Sequence, residues 1–147
     1  MYLIVHDRVG TRSRGHRLMP RRFSTPHCPH CGEYESTEHR YILCGHVSES
    51  WIWLRSRIDM LDPSTVSQND MSMIRLDFVK GLRENAILWL IGSYVEIVES
   101  EVVIKENKLS PLSLEGLLKQ RKLLAATQAI PELGLVPGID WNSEGIG

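Results

Sequence analysis

Between Ser48 and Gln128 apolar positions return every three or four residues, the period of helices that bury one side. Trp51, Leu54, Ile58 and Leu61 make the first stripe, with Ser48 as its expected cap and Asp62-Pro63-Ser64 as its end. Residues 62–70 (DPSTVSQND) read as a polar linker. Asp70 is then the expected cap of a second helix carrying Met71, Ile74, Phe78 and Leu82. A third helix is predicted from about Asn85 to Lys105, and it is apolar on most sides from Ala86 to Val102. Such a helix belongs in the middle of a bundle or in an oligomer interface. Glu96, Glu99 and Glu101 interrupt it, so it falls short of the ~20 apolar residues of a membrane span and no membrane association is expected. With no histidine nearby, these carboxylates mark a solvent edge and not a metal site. Ser110-Pro111 starts a fourth helix, with Leu114, Leu117, Leu118 and Leu124 on one side and Lys119, Arg121 and Lys122 on the other. The aromatic and methionine residues on these helices, Met71, Met73, Phe78 and Trp89, are expected in the core. Residues 129–147 contain two prolines and four glycines and are predicted to be an extended or disordered tail.

The first third has a different texture. Gly10, Gly15, Pro20, Pro26, Pro29 and Gly32 break it into loops, and Thr37 is the expected cap of a short helix over 38–43. The whole chain has 147 residues, the size of one ordinary domain or of a very small one with a helical extension. Its 42% hydrophobic content suffices for a core, and the net charge of -1 says little until its distribution is considered. Arg8, Arg12, Arg14, Arg17, Arg21 and Arg22 precede Cys31 with only Asp7 against them, so the N-terminal arm is basic and suits an anionic partner. A solvated, flexible arm is the plainer alternative. The apolar start Tyr2-Leu3-Ile4-Val5 stops at His6-Asp7, too short for a secretory signal, so a reducing compartment, nucleus or cytoplasm, is expected and not secretion.

All three cysteines, Cys28, Cys31 and Cys44, lie in one stretch together with His27, His30, His39 and His46. An odd count rules out complete disulfide pairing. In Cys28-Pro29-His30-Cys31-Gly32, two cysteines two residues apart can aim both sulfurs at one cation. Gly32 can supply the positive φ of such a turn, and the amides after Cys28 can donate to its sulfur. The order C-x2-C-x7-H-x4-C makes His39 and Cys44 the remaining candidates, with His30 or His46 able to replace His39. Because His39 and Cys44 are five apart, they share an α-helical face only loosely, and one of them should sit at a helix end. Three thiolates and an imidazole form a structural zinc composition with no open position for hydrolytic chemistry. Zinc would also stabilise a loop-rich region poor in apolar residues. Two other readings compete: a redox C-x-x-C, which lacks a surrounding strand–helix–strand pattern, and incidental cysteines.

Cys28, Cys31, Glu35-Ser36-Thr37-Glu38-His39, Cys44 and Trp51 together resemble the reverse-transcriptase zinc-binding domain found C-terminal to the polymerase in non-LTR retrotransposon proteins. Gly15-His16-Arg17-Leu18 is similar to a glycine-histidine turn that precedes the ligands in that family. The resemblance covers residues 8–58 and selects His39 as the fourth ligand. It implies a zinc knuckle near a reverse transcriptase and an RNA or single-stranded DNA partner.

No polymerase signature is present, since Asp-Asp occurs nowhere, and no endonuclease-like acidic and histidine set has convincing spacing. The expected architecture is mainly α: a loop-rich basic arm, Cys3His knuckle and following helix over 1–61, a linker over 62–70, a helical segment over 71–128 making three or four helices in all, and a tail. The expected function is non-catalytic nucleic-acid binding through Arg12, Arg14, His16, Arg17, Arg21, Arg22 and Arg40, with Phe23, Tyr34 and Tyr41 as stacking surfaces. Two alternatives stand beside it. One is a zinc-stapled helical protein-interaction module with the helices from Asp70 to Gln128 as its working surface, associating with a reverse transcriptase or with itself through residues 86–104. The other is a transposon remnant without a selected function.

Overall fold

The computed structural model of the chain describes residues 17–18, 21, 26–28, 30–77, 84–100, 108–124, 130–139 and 141. The protein is mainly helical, and among the described residues the only β pairing is an isolated bridge between His27 and Tyr34. Most of the arm predicted to be loop-rich lies outside the described residues.

Helix α1 spans Ser48–Leu61 and buries Trp51, Leu54, Ile58 and Leu61, the stripe read from the sequence. Ser48 is not its cap: Val47 holds that position and no side chain caps the helix. The amide of Asp62 closes the last turn on the Ile58 carbonyl at 2.9 Å, and Pro63 prevents continuation.

The expected linker is an ordered turn. Pro63–Ser67 form a 3-10 helix capped by the Asp62 carboxylate, which accepts from the Ser64 amide, and Thr65 is buried beneath it. Arg55 on α1 holds the turn in place. Its guanidinium donates to Asp59 at 3.1 Å, Asp70 at 2.7 Å and the Thr65 carbonyl at 2.8 Å, and it also bonds the Gln68 carbonyl. An arginine with four acceptors and 13% side-chain exposure cannot be removed without stranding several of them. Replacement by Met (R55M) is expected to lower stability by about 2–3 kcal/mol, read from the midpoint of urea unfolding.

Helix α2 covers only Asp70–Arg75. Asn69, not Asp70, caps it, its side chain accepting from the Ser72 amide at 2.8 Å. The predicted stripe stops after Ile74 because Leu76 turns into the left-handed region at φ 62 and ends the helix. There the amides of Leu76 and Asp77 return to the Met73 and Ser72 carbonyls, closing the turn as a Schellman motif. Phe78 and Leu82 lie outside the described residues.

Helix α3 runs Glu84–Val98 and α4 runs Pro111–Leu124. Ala86, Leu90, Ile91 and Tyr94 are wholly buried, so α3 occupies the middle of the core, one of the two placements its composition allowed. Beyond Ser100 the predicted extension to Lys105 lies outside the described residues. Helix α4 starts as expected, with Ser110 Oγ accepting from the Ser113 amide at 3.1 Å and proline in the first turn. Leu114 and Leu118 are buried, and α4 packs against both α1 and α3.

The C-terminal stretch departs most from expectation. Pro131–Leu135 form a 3-10 turn against α3, and Leu133, Val136, Ile139 and Trp141 are buried. Trp141 meets the edge of Trp89 at 5.8 Å between ring centroids, and the Lys122 ammonium lies over its indole. Gly138, at φ 78, allows the backbone to pass the Arg57 guanidinium, where an added Cβ would come within 2.9 Å. Glycine and proline here shape a close-packed strap. The result is one continuous core from Cys28 to Trp141.

A candidate metal centre

Residues 26–28 and 30–35 form a tight double-back. The Glu35 amide donates to the Pro26 carbonyl at 2.9 Å and the Cys28 amide to the Glu33 carbonyl at 2.6 Å. At the tip the Gly32 amide returns to the Cys28 carbonyl at 2.9 Å, and Gly32 takes φ 79, the conformation its position called for. This turn directs Cys28 and Cys31 to the same side. The His30 amide donates to Cys28 Sγ at 3.4 Å, as a knuckle amide should.

The other two candidates come from a wide turn. Ser36, not Thr37, is the cap: its Oγ accepts from the His39 amide at 3.1 Å. Residues His39–Leu43 then wind as a π-helix, and the Cys44 amide bonds the His39 carbonyl five residues back at 2.9 Å. This answers the difficulty posed by the spacing. In an α-helix, positions five apart lie about 140° apart around the axis. A π-turn carries the extra residue, and Cys44, which follows it, swings back under His39.

The ligand atoms of Cys28, Cys31, His39 and Cys44 consequently all lie within 4.8 Å of one another, a group that could hold a metal ion. Cys31 Sγ is 3.1 Å from His39 Nε2 and 4.0 Å from Cys44 Sγ, and Cys28 Sγ is 3.9 Å from Cys44 Sγ. His30 and His46, the alternative fourth ligands, lie outside this group. Their rings stack on one another 4.2 Å apart and nearly parallel. Cys28, His39 and Cys44 are buried, whereas Cys31 is exposed. Burial raises the Cys28 thiol and pushes the Cys44 thiol up to about 12, its sulfur neighbours adding to the effect. Packing three sulfurs this closely, two of them away from water, favours a cation among them as the compensating charge.

The segment is tied to the helical body by a network that sequence reasoning missed. The Arg40 guanidinium bridges Glu35 at 3.1 Å and Glu99, at the end of α3, at 3.2 Å. The Tyr41 hydroxyl donates to the same Glu99 carboxylate, and the Tyr94 hydroxyl donates to the Tyr41 carbonyl, each at 2.5 Å. Burial, and then the Glu99 carboxylate, hold the Tyr41 phenol far above its ordinary range, so it acts as a donor. On the other side the Leu109 amide bonds the His46 carbonyl at 2.7 Å, and Ser50 Oγ bonds the Leu109 carbonyl. Ser36 had a legible signal, lying three residues before His39 at the start of a helical pattern. Glu99 had none, because its partners are 58 and 59 positions away.

Arg17 and Arg21 are exposed, whereas Arg12, Arg14, His16 and Arg22 lie outside the described residues. Arg40 is half-buried between its two carboxylates, and Tyr41 is buried. Glu96 pairs with Arg121, and Glu101 lies outside the described residues. No helix among the described residues is long and apolar enough to cross a membrane. Compared with models of protein families, with curated proteins and with solved structures, the chain matches none of them. The class of the site rests on its own geometry: a Cys3His group able to hold a metal ion beside a helical core.

Proposed function

We propose that the chain is a non-catalytic, zinc-dependent nucleic-acid-binding module, with Cys28, Cys31, His39 and Cys44 as the zinc ligands. The observation that carries the reading is the convergence of those four donors. A tetrahedral zinc with metal–sulfur bonds of about 2.3 Å has sulfur–sulfur edges of about 3.8 Å. The sulfur pairs at 3.9 and 4.0 Å lie close to that edge. Three soft thiolates with one imidazole select zinc over harder divalent ions. All four positions are filled by protein, which suits a structural role and a reducing nucleus or cytoplasm.

The nucleic-acid part of the proposal is supported by the arginines ahead of the knuckle and by the resemblance to the reverse-transcriptase zinc-binding domain. Arg12, Arg14, Arg17, Arg21 and Arg22 would neutralise phosphates, with His16 beside them, on RNA or single-stranded DNA. Arg40, held by Glu35 and Glu99, serves the fold in this reading. Fluorescence titration of the zinc-loaded protein with single-stranded RNA and DNA tests it. Binding is expected at ~50 mM salt and should weaken at least tenfold by ~200 mM, the signature of counterion release. Changing the five arm arginines to Ser should abolish it while leaving zinc content intact. Absence of binding at low salt would remove the nucleic-acid role.

A protein-interaction reading has one observation in its favour. Ile52 and Met60, two turns apart on α1, are 67% and 53% exposed. Under that reading the arginine variant would keep its partner.

A further inference from the structure

The four donors of the knuckle are unequal in one respect that zinc binding does not require. Cys28 and Cys44 are 4% and 3% exposed and His39 is 6% exposed, while Cys31, at the tip of the Gly32 turn, is open to solvent. A thiolate held by a cation keeps nucleophilic character, and its reactivity is set largely by access. Any solute oxidant or electrophile reaching this centre meets the Cys31 sulfur first. A second cysteine sulfur, Cys44 Sγ, waits 4.0 Å behind it. The Cys28 sulfur is the poorer second nucleophile, because two amides, those of His30 and Cys31, donate to it and only that of His46 to Cys44.

From this arrangement we infer that Cys31 is an oxidative modification site through which hydroperoxides discharge the metal. The inference rests on the zinc reading of the knuckle. In the first step the Cys31 thiolate attacks a peroxide oxygen. The O–O bond breaks, an S–O bond forms, sulfur gives up two electrons, and the departing hydroxide takes a proton from solvent to leave as water. In the second step the Cys44 thiolate attacks the Cys31 sulfenic sulfur. An S–S bond forms as the S–O bond breaks, and the oxygen leaves as a second water with another solvent proton. Two thiolates, one hydrogen peroxide and two protons become one disulfide and two waters. The metal, left with Cys28 and His39, is released.

Release would not stop at the knuckle. The π-turn that carries His39 and Cys44 also carries Arg40 and Tyr41, which join the knuckle to Glu99 and Tyr94 on α3. Oxidation at one exposed sulfur is thereby coupled to the packing of the helical body.

The test uses the full-length zinc-loaded protein and hydrogen peroxide. Zinc stoichiometry is measured first; a chain that takes up no zinc defeats the zinc reading itself, whatever peroxide does to its thiols. With one zinc bound, peroxide should release it in step with thiol loss, measured with a chromogenic chelator. Dimedone should trap the sulfenic acid at Cys31, and peptide mapping should find the Cys31–Cys44 disulfide. Cys31→His keeps four ligands but removes the exposed sulfur, so it should hold zinc and slow peroxide-driven release by about tenfold or more. Cys28→His, which changes a buried ligand, should leave release nearly as fast as in the parent. Trapping at Cys28 or Cys44 ahead of Cys31, or equal sensitivity of a zinc-loaded Cys31→His protein, would overturn the inference.

Discussion

Removing zinc with excess EDTA is expected to unfold the knuckle and to destabilise the helical body with it. Ligation of a structural zinc contributes on the order of 10 kcal/mol or more at neutral pH, comparable to the whole stability of an ordinary domain. Without the metal, the described part of residues 26–46 is held by turn hydrogen bonds, by the Arg40 and Tyr41 ties to Glu99 and Tyr94, and by the buried side chains of Tyr41 and Ile42. Those two are part of the common core, and Trp51 lies 5.4 Å from Tyr94 between ring centroids at the contact of α1 with α3. Loss of the metal should therefore register in tryptophan fluorescence as well as in far-ultraviolet circular dichroism, and re-addition of zinc should restore both. His39→Ala should reproduce the chelated state. His30→Ala and His46→Ala should each retain one zinc, because their rings stand outside the donor group. A chelated protein that melts like the untreated one would sink the zinc reading.

Deleting residues 130–147 is expected to have the second-largest effect, although the sequence suggests a dispensable tail. Leu133, Val136, Ile139 and Trp141 are each buried, and such side chains stabilise by roughly 1.5–3 kcal/mol apiece. Their combined loss, about 6 kcal/mol or more, approaches the net stability of a typical domain. The deletion would also uncover Trp89 and part of α3. Trp141→Ala alone should lower stability by about 3–5 kcal/mol, measured by urea unfolding. An unchanged unfolding midpoint for either variant would show that the strap does not contribute to the core.

The contrast between stripe and strap explains what was legible beforehand. Trp51, Leu54, Ile58 and Leu61 repeat at the helical period, so their common face could be read directly. Leu133, Val136 and Ile139 do recur every third residue, but the run is short and the glycine and proline between them mimic the composition of a free tail. Caps failed by one residue at three places: Ser36 for Thr37 and Asn69 for Asp70, where neighbouring polar residues compete for the same position, and Val47 for Ser48, where no side chain caps the helix. In the donor group the cysteine spacing and a glycine turn fix local geometry and named the three sulfurs, whereas the choice of His39 over His30 and His46 came from the family resemblance. The Glu99 tie and the four-acceptor role of Arg55 were hidden because each depends on how distant segments meet.

The wide winding between His39 and Cys44 also marks a place where the chain has slack. Leu43, the last residue of that turn, projects into solvent at 59% exposure, as a spare link would. A chain shortened by that link would bring the two donors four apart, the separation at which ordinary α winding stacks one side chain above another. A lengthened chain would find no regular coil to do the same. Tolerance here should be lopsided, permitting a loss and punishing a gain.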